Sequence, residues 1–154
     1  MTREIKFRAQ DIASNKWLTG DLRHHKDDVC IFEQGGTKGE QVKRDTISQY
    51  AGVKDKNGRE IYEGDILRAD YYPYNDEGVD NYLGVVFYAD DENMWQVMKF
   101  VTAKSERRGI SNFINTAFYD TDFSQMEVVG NVWDSKGLFR DTDEEVMKWF
   151  NGEG

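Results

Sequence analysis

The sequence predicts a mainly β fold, of the β-rich α+β class, with an N-terminal hairpin subdomain and one C-terminal helix. Most apolar segments are short and are separated by turn residues, which is typical of strands. Nine Phe, eight Tyr and four Trp supply bulky side chains for a core. We expect one domain over 154 residues, with subdomains at 1–33, 42–134 and 142–151.

The N-terminal segment has the period of a half-buried strand. In "EIKFRAQD" one face carries Ile5, Phe7 and Ala9, whereas the other carries Lys6, Arg8 and Gln10. "ASNKW" supplies turn residues and "WL" begins a second strand, so a hairpin is predicted here. The apolar "VCIF" predicts a third strand, and the glycine-rich stretch 33–41 predicts a loop and a subdomain boundary.

The stretch "GVKDKNGREIYEGDILR" contains what could be taken for the start of a calcium loop. An EF-hand starting at Asp55 would need an oxygen ligand at its fifth position, Gly at its sixth and Glu at its twelfth. Those positions hold Arg59, Glu60 and Ile66. The pattern therefore excludes an EF-hand.

A hairpin turn explains the same stretch better. Asn57-Gly58 is typical of a two-residue type I′ turn, although that register places like charges opposite one another. A longer loop, which begins at Asp55 and has Gly58 in the left-handed region, separates those charges. We favour the longer loop and leave the two-residue turn as the alternative.

The second half of the chain continues with strands and ends in a helix. "DILRADYY" predicts a strand, "GVVFYADDENMWQVMKFV" predicts two strands around a tight turn, and "QMEVVGNVW" predicts another. In "DTDEEVMKWFNG", Thr142 and Glu145 fit a capping box, and Val146, Trp149 and Phe150 form a packing stripe. A Gly-Asp turn before one strand, followed by a Gly-led strand and a hairpin, resembles small SH3-like barrels, so we expect an SH3-like barrel component.

Three segments carry a resemblance to a known family. The run "QYAGVKDKNGREIYEGDILR" resembles the hallmark segment of the YopX family of phage and prophage proteins. "REIKFRAQD" and "MEVVGNVWD" resemble that family's opening and closing segments, in the same order. The resemblance implies a β-rich fold with an SH3-like component, a phage or prophage origin and an unknown biochemical function, with no catalytic residue.

Charge is distributed unevenly along the chain, whose net charge is −9. Residues 1–26 hold six Lys or Arg against three acids, whereas residues 69–98 hold seven acids and no Lys, Arg or His. Such an acidic surface repels phosphate backbones, so the middle of the chain does not favour nucleic-acid binding. The N-terminus lacks the pattern of a signal peptide and no apolar run could span a bilayer, so we expect a cytoplasmic protein of a bacterial host, with no membrane association.

The pattern of chemically reactive residues predicts no catalytic, cofactor or metal site. Adjacent strand residues point to opposite faces, so His24 and His25 cannot readily chelate one ion together with Cys30 and Glu33. The single Cys excludes an intrachain disulfide. Acids that could hold Mg²⁺ for phosphodiester cleavage lack the cations such a nuclease needs around its substrate. These acids are Asp65, Asp70, Asp90, Asp91, Asp120 and Asp122.

Aromatic residues interleave with the acids of the middle segment, which is typical of protein interfaces. They are Tyr71, Tyr72, Tyr74, Tyr82, Phe87, Tyr88 and Trp95. The alternative is that these rings fill the core while the acids cover solvent loops. We predict a protein-binding patch at Tyr72, Tyr74, Asp76, Glu77, Asp80 and Tyr82.

The functional expectation is a non-enzymatic accessory protein that binds a phage or host protein. The alternative is a nucleic-acid-directed protein, either a metal-dependent nuclease or a binder that uses the basic N-terminal segment. Self-association is a further expectation, because exposed strand edges in small β proteins are often covered by a neighbour.

Overall fold

The computed structural model describes residues 4–69, 82–100, 116–117, 125–135, 137–138 and 143–152. The strands are β1 Phe7–Gln10, β2 Trp17–His25, β3 Asp28–Phe32, β4 Gly39–Gln41, β5 Ser48–Lys54, β6 Glu60–Tyr62, β7 Asp65–Ala69, β8 Tyr82–Ala89, β9 Met94–Phe100, β10 Thr116–Ala117 and β11 Glu127–Asn131. A 3₁₀ turn occupies Arg44–Thr46 and one α-helix, α1, occupies Asp143–Phe150. Within these ranges no helix has the length and apolar character needed to cross a membrane.

The chain divides into two compact units, Met1–Gly52 and Val53–Gly154. In the first unit the strands follow the order β4-β3-β2-β1-β5. The antiparallel pair β1–β2 aligns Phe7 with Gly20, which confirms the predicted N-terminal hairpin. The subdomain ranges predicted from the sequence differ from these two units and stay predictions.

The core of the first unit lies under β1 and β3. Four buried residues, Ala9, Val29, Ile31 and Val42, pack with the partly buried Phe7, Leu18, Leu22 and Ile47. The predicted alternation of β1 is confirmed for Phe7 and Ala9, but Ile5 precedes the strand and is 61% exposed.

The polar face of β1 is buried too, which the alternation did not predict. Arg8 is only 8% exposed, because its guanidinium lies over the ring of Trp17 and donates a hydrogen bond to Ser48 Oγ at 3.1 Å. Gln10 N donates to Thr46 Oγ1 at 2.9 Å. Side chains from β2, β5 and the 3₁₀ turn therefore cover this face.

The predicted hairpin turn in the hallmark stretch is confirmed, in its longer form. Asp55 N donates to Arg59 O at 2.8 Å, Gly58 N donates to Asp55 O at 3.0 Å, and Gly58 has φ of +77°. Asn57 is not among the residues with positive φ, so the type I′ alternative is wrong. This turn joins the end of β5 to β6 inside the second unit.

The second unit is built on an antiparallel sheet of order β10-β9-β8-β7-β11. Its long hairpin β8–β9 pairs Val85 with Met98 and Phe87 with Gln96, which confirms the two strands predicted around a tight turn. The described strands of the chain form two antiparallel sheets and no closed barrel, so the mainly β class is confirmed and the SH3-like barrel component is not. A helix, instead of barrel closure, buries the apolar side chains on one face of the second sheet.

Helix α1 covers the face of the second sheet that carries Phe87. The buried residues Ile66, Leu83, Val85 and Val132 pack with Trp133, Met147, Trp149 and Phe150. The rings of Phe87 and Trp149 meet edge to face at 5.3 Å, and those of Trp133 and Phe150 do so at 5.5 Å. The predicted C-terminal helix is confirmed, and its aromatic residues serve packing as expected.

Candidate functional site

The turn of the β8–β9 hairpin carries three consecutive acids. Ala89 pairs with Met94, so Asp90, Asp91, Glu92 and Asn93 form the connection. Asn93 has φ of +53°, a conformation that Asn tolerates better than most residues, and Glu92 N donates to Ala89 O at 3.2 Å. The local sequence thus closes the hairpin and leaves its acidic side chains exposed.

A cavity of about 330 Å³ lies at this end of the hairpin. Among the described residues it is lined by Phe87, Tyr88, Ala89, Asp90, Asp91, Glu92 and Gln96. We call the space that these seven residues line the hairpin cavity. Aromatic residues of β8 and acids of the turn therefore border the same space.

Strand register places the two aromatic residues of the cavity lining on opposite faces of the sheet. Phe87 and Gln96 are cross-strand partners, so they lie on the sheet face that α1 covers. Tyr88 and Trp95 are the next pair and lie on the opposite face, where their rings meet edge to face at 5.2 Å. Tyr88 keeps 39% of its surface exposed, because it stands at the end of the sheet.

Gln96 is the buried polar residue among those that line the cavity. Its side chain is 1% exposed, and its Oε1 has no hydrogen-bond partner among the described residues. A buried carbonyl oxygen without a partner costs about 1–3 kcal/mol, so native proteins rarely keep one without a reason. This oxygen is closed off from solvent, so a ligand in the cavity does not reach it.

A fourth acid, Glu63, lies near the three acids of this turn. Burial raises the pKa of the Glu63 carboxyl, and the charge of Asp90 raises it further. Glu63 is held beside β8 because the neighbouring Gly64 donates from its N–H to Val86 O at 2.8 Å. Glu63 therefore lies close enough to the turn for the charge of Asp90 to act on it.

Gly64 fixes the turn that carries Glu63. It has φ of +85°, and its carbonyl accepts a hydrogen bond from Val132 N at 2.9 Å. A Cβ atom at this position would lie 2.6 Å from the indole of Trp133 and 3.3 Å from Phe150. Only glycine satisfies both the backbone angle and the close approach.

The protein-binding patch predicted from the sequence falls almost entirely outside the described residues. Tyr72, Tyr74, Asp76, Glu77 and Asp80 lie there. For Tyr82 the structure describes only the backbone, which begins β8 and pairs with Ala69. The patch stays a prediction.

The structure does not bring the sequence's metal candidates together. His24 and His25 face Val29 and Asp28 across the β2–β3 pair, and Cys30 faces Arg23. Across the described ranges, no group of three or more His, Cys, Asp or Glu could hold a metal ion.

The acids considered for Mg²⁺ serve different purposes. Asp65 is 1% exposed, and its Oδ2 accepts a hydrogen bond from Tyr62 N at 2.8 Å, so it shapes the turn before β7. Asp90 and Asp91 belong to the hairpin cavity. Asp70, Asp120 and Asp122 lie outside the described residues.

Cations of the basic N-terminal segment are engaged with aromatic rings of their own unit. Lys6 Nζ lies 5.0 Å from the ring centroid of Tyr50, and the Arg8 guanidinium lies 4.8 Å from that of Trp17. The Arg23 guanidinium lies 4.8 Å from the ring of Phe32. Contacts of this kind stabilise the fold and hold three cations against the protein rather than extended toward a phosphate.

Sequence patterns pointed to the acidic, aromatic segment but missed two residues of the site. Gln96 sits in the otherwise apolar run "MWQVM", and a polar residue in such a run is the signal that could have singled it out. Glu63 approaches the site only because the turn before β7 lies beside β8, and the sequence carries no sign of that contact.

Comparisons with known proteins point to one family. The model of the family described as "YopX protein" matches residues 6–140. No curated protein matches this chain. Among solved structures, the crystal structure of protein EF1440 from Enterococcus faecalis is similar, with a TM-score of 0.44 and 22% sequence identity, over 85% of this chain and 94% of that chain.

Proposed function

This chain belongs to the YopX protein family, and we propose that it is a non-enzymatic module that binds another protein through the hairpin cavity. The observation that carries this proposal is the cavity of about 330 Å³, which is lined by three exposed acids of the turn and by the aromatic residues Phe87 and Tyr88. A polar rim around aromatic anchors is typical of protein-binding surfaces.

The charge of the cavity favours a basic partner. Ionised Asp and Glu side chains accept hydrogen bonds and donate none. A phosphate group would meet repulsion from Asp90, Asp91 and Glu92, so a nucleic acid is a poor occupant of this site. A protein that presents Lys or Arg is the complementary occupant.

The proposal also names the cell compartment in which the protein binds its partner and the source of that partner. The resemblance to phage and prophage proteins supports an accessory role in the cytoplasm of a bacterial host, with a phage or host protein as partner. The chain would act through binding alone.

Affinity capture with charge-matched variants tests the proposal. Wild-type chain, a turn variant (D90N, D91N, E92Q) and a control variant (D21N, D27N, E33Q) are each expressed at native level in lysogenic cells and captured after crosslinking. Both variants remove three acids that are exposed in the structure, but the control acids lie in the first unit. Captured proteins are then quantified by mass spectrometry.

We expect at least one protein to be captured by wild type and by the control variant and to be lost with the turn variant. Capture of the same proteins at the same level by all three chains would overturn the proposal for this surface. A complete absence of specifically captured proteins would overturn protein binding as the function.

A further inference from the structure

The dipeptide Asn-Gly occurs twice in the chain, at Asn57-Gly58 and at Asn151-Gly152. An Asn side chain that precedes Gly is prone to attack by the Gly backbone nitrogen, because Gly has no Cβ to hinder the close approach. Both pairs belong to the second unit, and both Asn residues are exposed to solvent. The two sites therefore share the same chemistry and the same access to water.

The reaction is an intramolecular acyl transfer whose only co-reactant is water. The deprotonated Gly nitrogen attacks the Asn Cγ, the new N–Cγ bond closes a succinimide ring, and the Cγ–Nδ2 bond breaks with release of ammonia. Water then opens the ring at either carbonyl and leaves Asp or isoaspartate. The attack requires a Gly N–H that has left its hydrogen bond, so local opening of the backbone controls the rate.

The Gly58 N–H lies in a turn that is fastened from several sides. It donates to Asp55 O at 3.0 Å, and the Asp55 N–H donates to Arg59 O at 2.8 Å. The buried Asp55 carboxylate accepts from the N–H groups of Asn57, Arg59 and Val128. Opening of this turn therefore breaks hydrogen bonds to a charged group, which are stronger than those between neutral groups.

The second pair follows the last residue of α1. The Gly152 N–H donates to Trp149 O at 3.0 Å, and the Asn151 N–H donates to Met147 O at 2.9 Å. Both acceptors are carbonyls of the last turn of the helix. Helix ends fray, and such segments open at little cost in free energy. Asn151-Gly152 therefore opens more readily than Asn57-Gly58.

We propose that Asn151 is a site of spontaneous deamidation in the folded protein and that Asp55 protects Asn57 from the same reaction. The two sites have the same dipeptide and are both exposed, so the hydrogen bonds that hold each Gly N–H decide between them. This inference is independent of the proposed binding function.

Deamidation of Asn151 acts on the end of α1. It replaces a neutral amide by a carboxylate at the carbonyl end of the helix, where negative charge is unfavourable. The preceding residue, Phe150, packs its ring against that of Trp133 at 5.5 Å. Asn151→Asp, which carries the charge of the product, should therefore melt at a lower temperature than Asn151→Gln, which stays neutral. Equal melting temperatures would overturn this consequence for α1.

Peptide mass spectrometry of the ageing protein tests the proposed site. The full chain is incubated at neutral pH, either folded or unfolded in guanidinium chloride. Samples are digested with pepsin in acid, where the attacking nitrogen stays protonated and the reaction stops. The Asn, Asp and isoaspartate forms of each peptide are then quantified over time. The unfolded arm measures the intrinsic reactivity of the two pairs.

We expect Asn151 to deamidate at least about tenfold faster than Asn57 in the folded chain, because one hydrogen bond to a charged group is worth a factor of about ten or more. In the unfolded chain the two rates should be similar. Equal rates in the folded chain, a faster reaction at Asn57, or no reaction at Asn151 while the unfolded chain reacts there would each overturn the proposal.

Asp55→Ala removes the protecting carboxylate. We expect Asn57 to react near its unfolded rate in this variant, while Asn151 keeps its wild-type rate; continued protection of Asn57 would overturn the role of Asp55. Asp11→Ala is the control, since Asp11 also accepts from backbone N–H groups but in a turn of the first unit, and it should change neither rate.

Hydrogen exchange of the wild-type chain keeps the test independent of how well Asp55→Ala folds. Nuclear magnetic resonance follows the backbone amides of Gly58 and Gly152 in the same sample. The Gly58 amide should exchange at least about tenfold more slowly than the Gly152 amide, after correction for their intrinsic rates, because the same opening exposes each N–H to water and to reaction. Equal protection of the two amides would overturn the proposal.

Discussion

The carboxylate of Asp55 accepts a hydrogen bond from the backbone N–H of Val128 at 3.0 Å, although 73 residues separate the two. The other carboxylate oxygen accepts from Asn57 N at 2.8 Å and Arg59 N at 2.9 Å, within its own turn. Lys56 N donates to Met126 O at 2.9 Å beside this bond. One buried side chain therefore shapes the hallmark turn and fastens it to β11.

Asp55→Asn should destabilise the protein by about 2–3 kcal/mol, because an amide cannot accept from both sides as a carboxylate does and one buried N–H is left unpaired. Urea unfolding followed by circular dichroism measures the loss. Asp11→Asn is the matched control, since Asp11 also accepts from two backbone N–H groups in its turn but through solvent-exposed hydrogen bonds. An unfolding midpoint of Asp55→Asn equal to that of wild type would contradict the structural role.

The same variant should change how stability depends on pH. Burial raises the pKa of Asp55, but hydrogen bonds from Val128, Arg59 and Asn57 and the charge of Arg59 outweigh burial, so the pKa is lowered overall. Its contribution is present in full above the pKa of an unfolded Asp, about 3.9, and is lost as pH falls through the folded pKa. The stability difference between wild type and Asp55→Asn should therefore shrink below about pH 4. A difference that stays constant from pH 6 to pH 2.5 would refute this linkage.

Gly64→Ala should destabilise the second unit by about 2–5 kcal/mol. The left-handed conformation costs an L-residue about 1–2 kcal/mol, and the new methyl group would overlap the Trp133 indole, a cost of about 1–3 kcal/mol. Gly58→Ala is the control, because Gly58 has a similar φ and nothing lies within 4 Å of its added Cβ. We expect it to show only the backbone part of the loss in thermal unfolding. Equal losses in the two variants would mean that the contact with Trp133 is unimportant.

Glu63→Gln should raise the melting temperature at pH 7. Burial and the charge of Asp90 raise the pKa of the Glu63 carboxyl, so ionisation at neutral pH weakens the folded state. The free energy of unfolding of wild type falls as pH rises from the pKa of an unfolded Glu, about 4.3, through the pKa of Glu63 in the folded state. The stability difference between Glu63→Gln and wild type should therefore vanish near pH 4. Differential scanning calorimetry at both pH values measures this, with Glu33→Gln in the first unit as control. A lower melting temperature at pH 7 would show that the ionised carboxylate stabilises the fold.

The sequence predicted the features that depend on neighbouring residues. Alternating apolar positions located β1, apolar segments around a tight turn located β8 and β9, and the acids and aromatics of "DEEVMKWF" located α1. The Asp-Asn-Gly pattern of the hallmark stretch predicted its turn, because Asp55 and Gly58 meet their backbone requirements within five residues. Segment matches also indicated the family, which the family model confirms.

Contacts between distant segments were decided only by the tertiary structure. The bond from Val128 to Asp55, the packing of Gly64 on Trp133 and the burial of Gln96 beside an acidic turn all depend on strand register and on the helix that covers the sheet. The SH3-like barrel was inferred from the order of turns and strands, and that order does not determine whether a sheet closes. Local patterns fix which strands form because their causes are local, whereas the cavity arises where side chains from separate strands and turns meet.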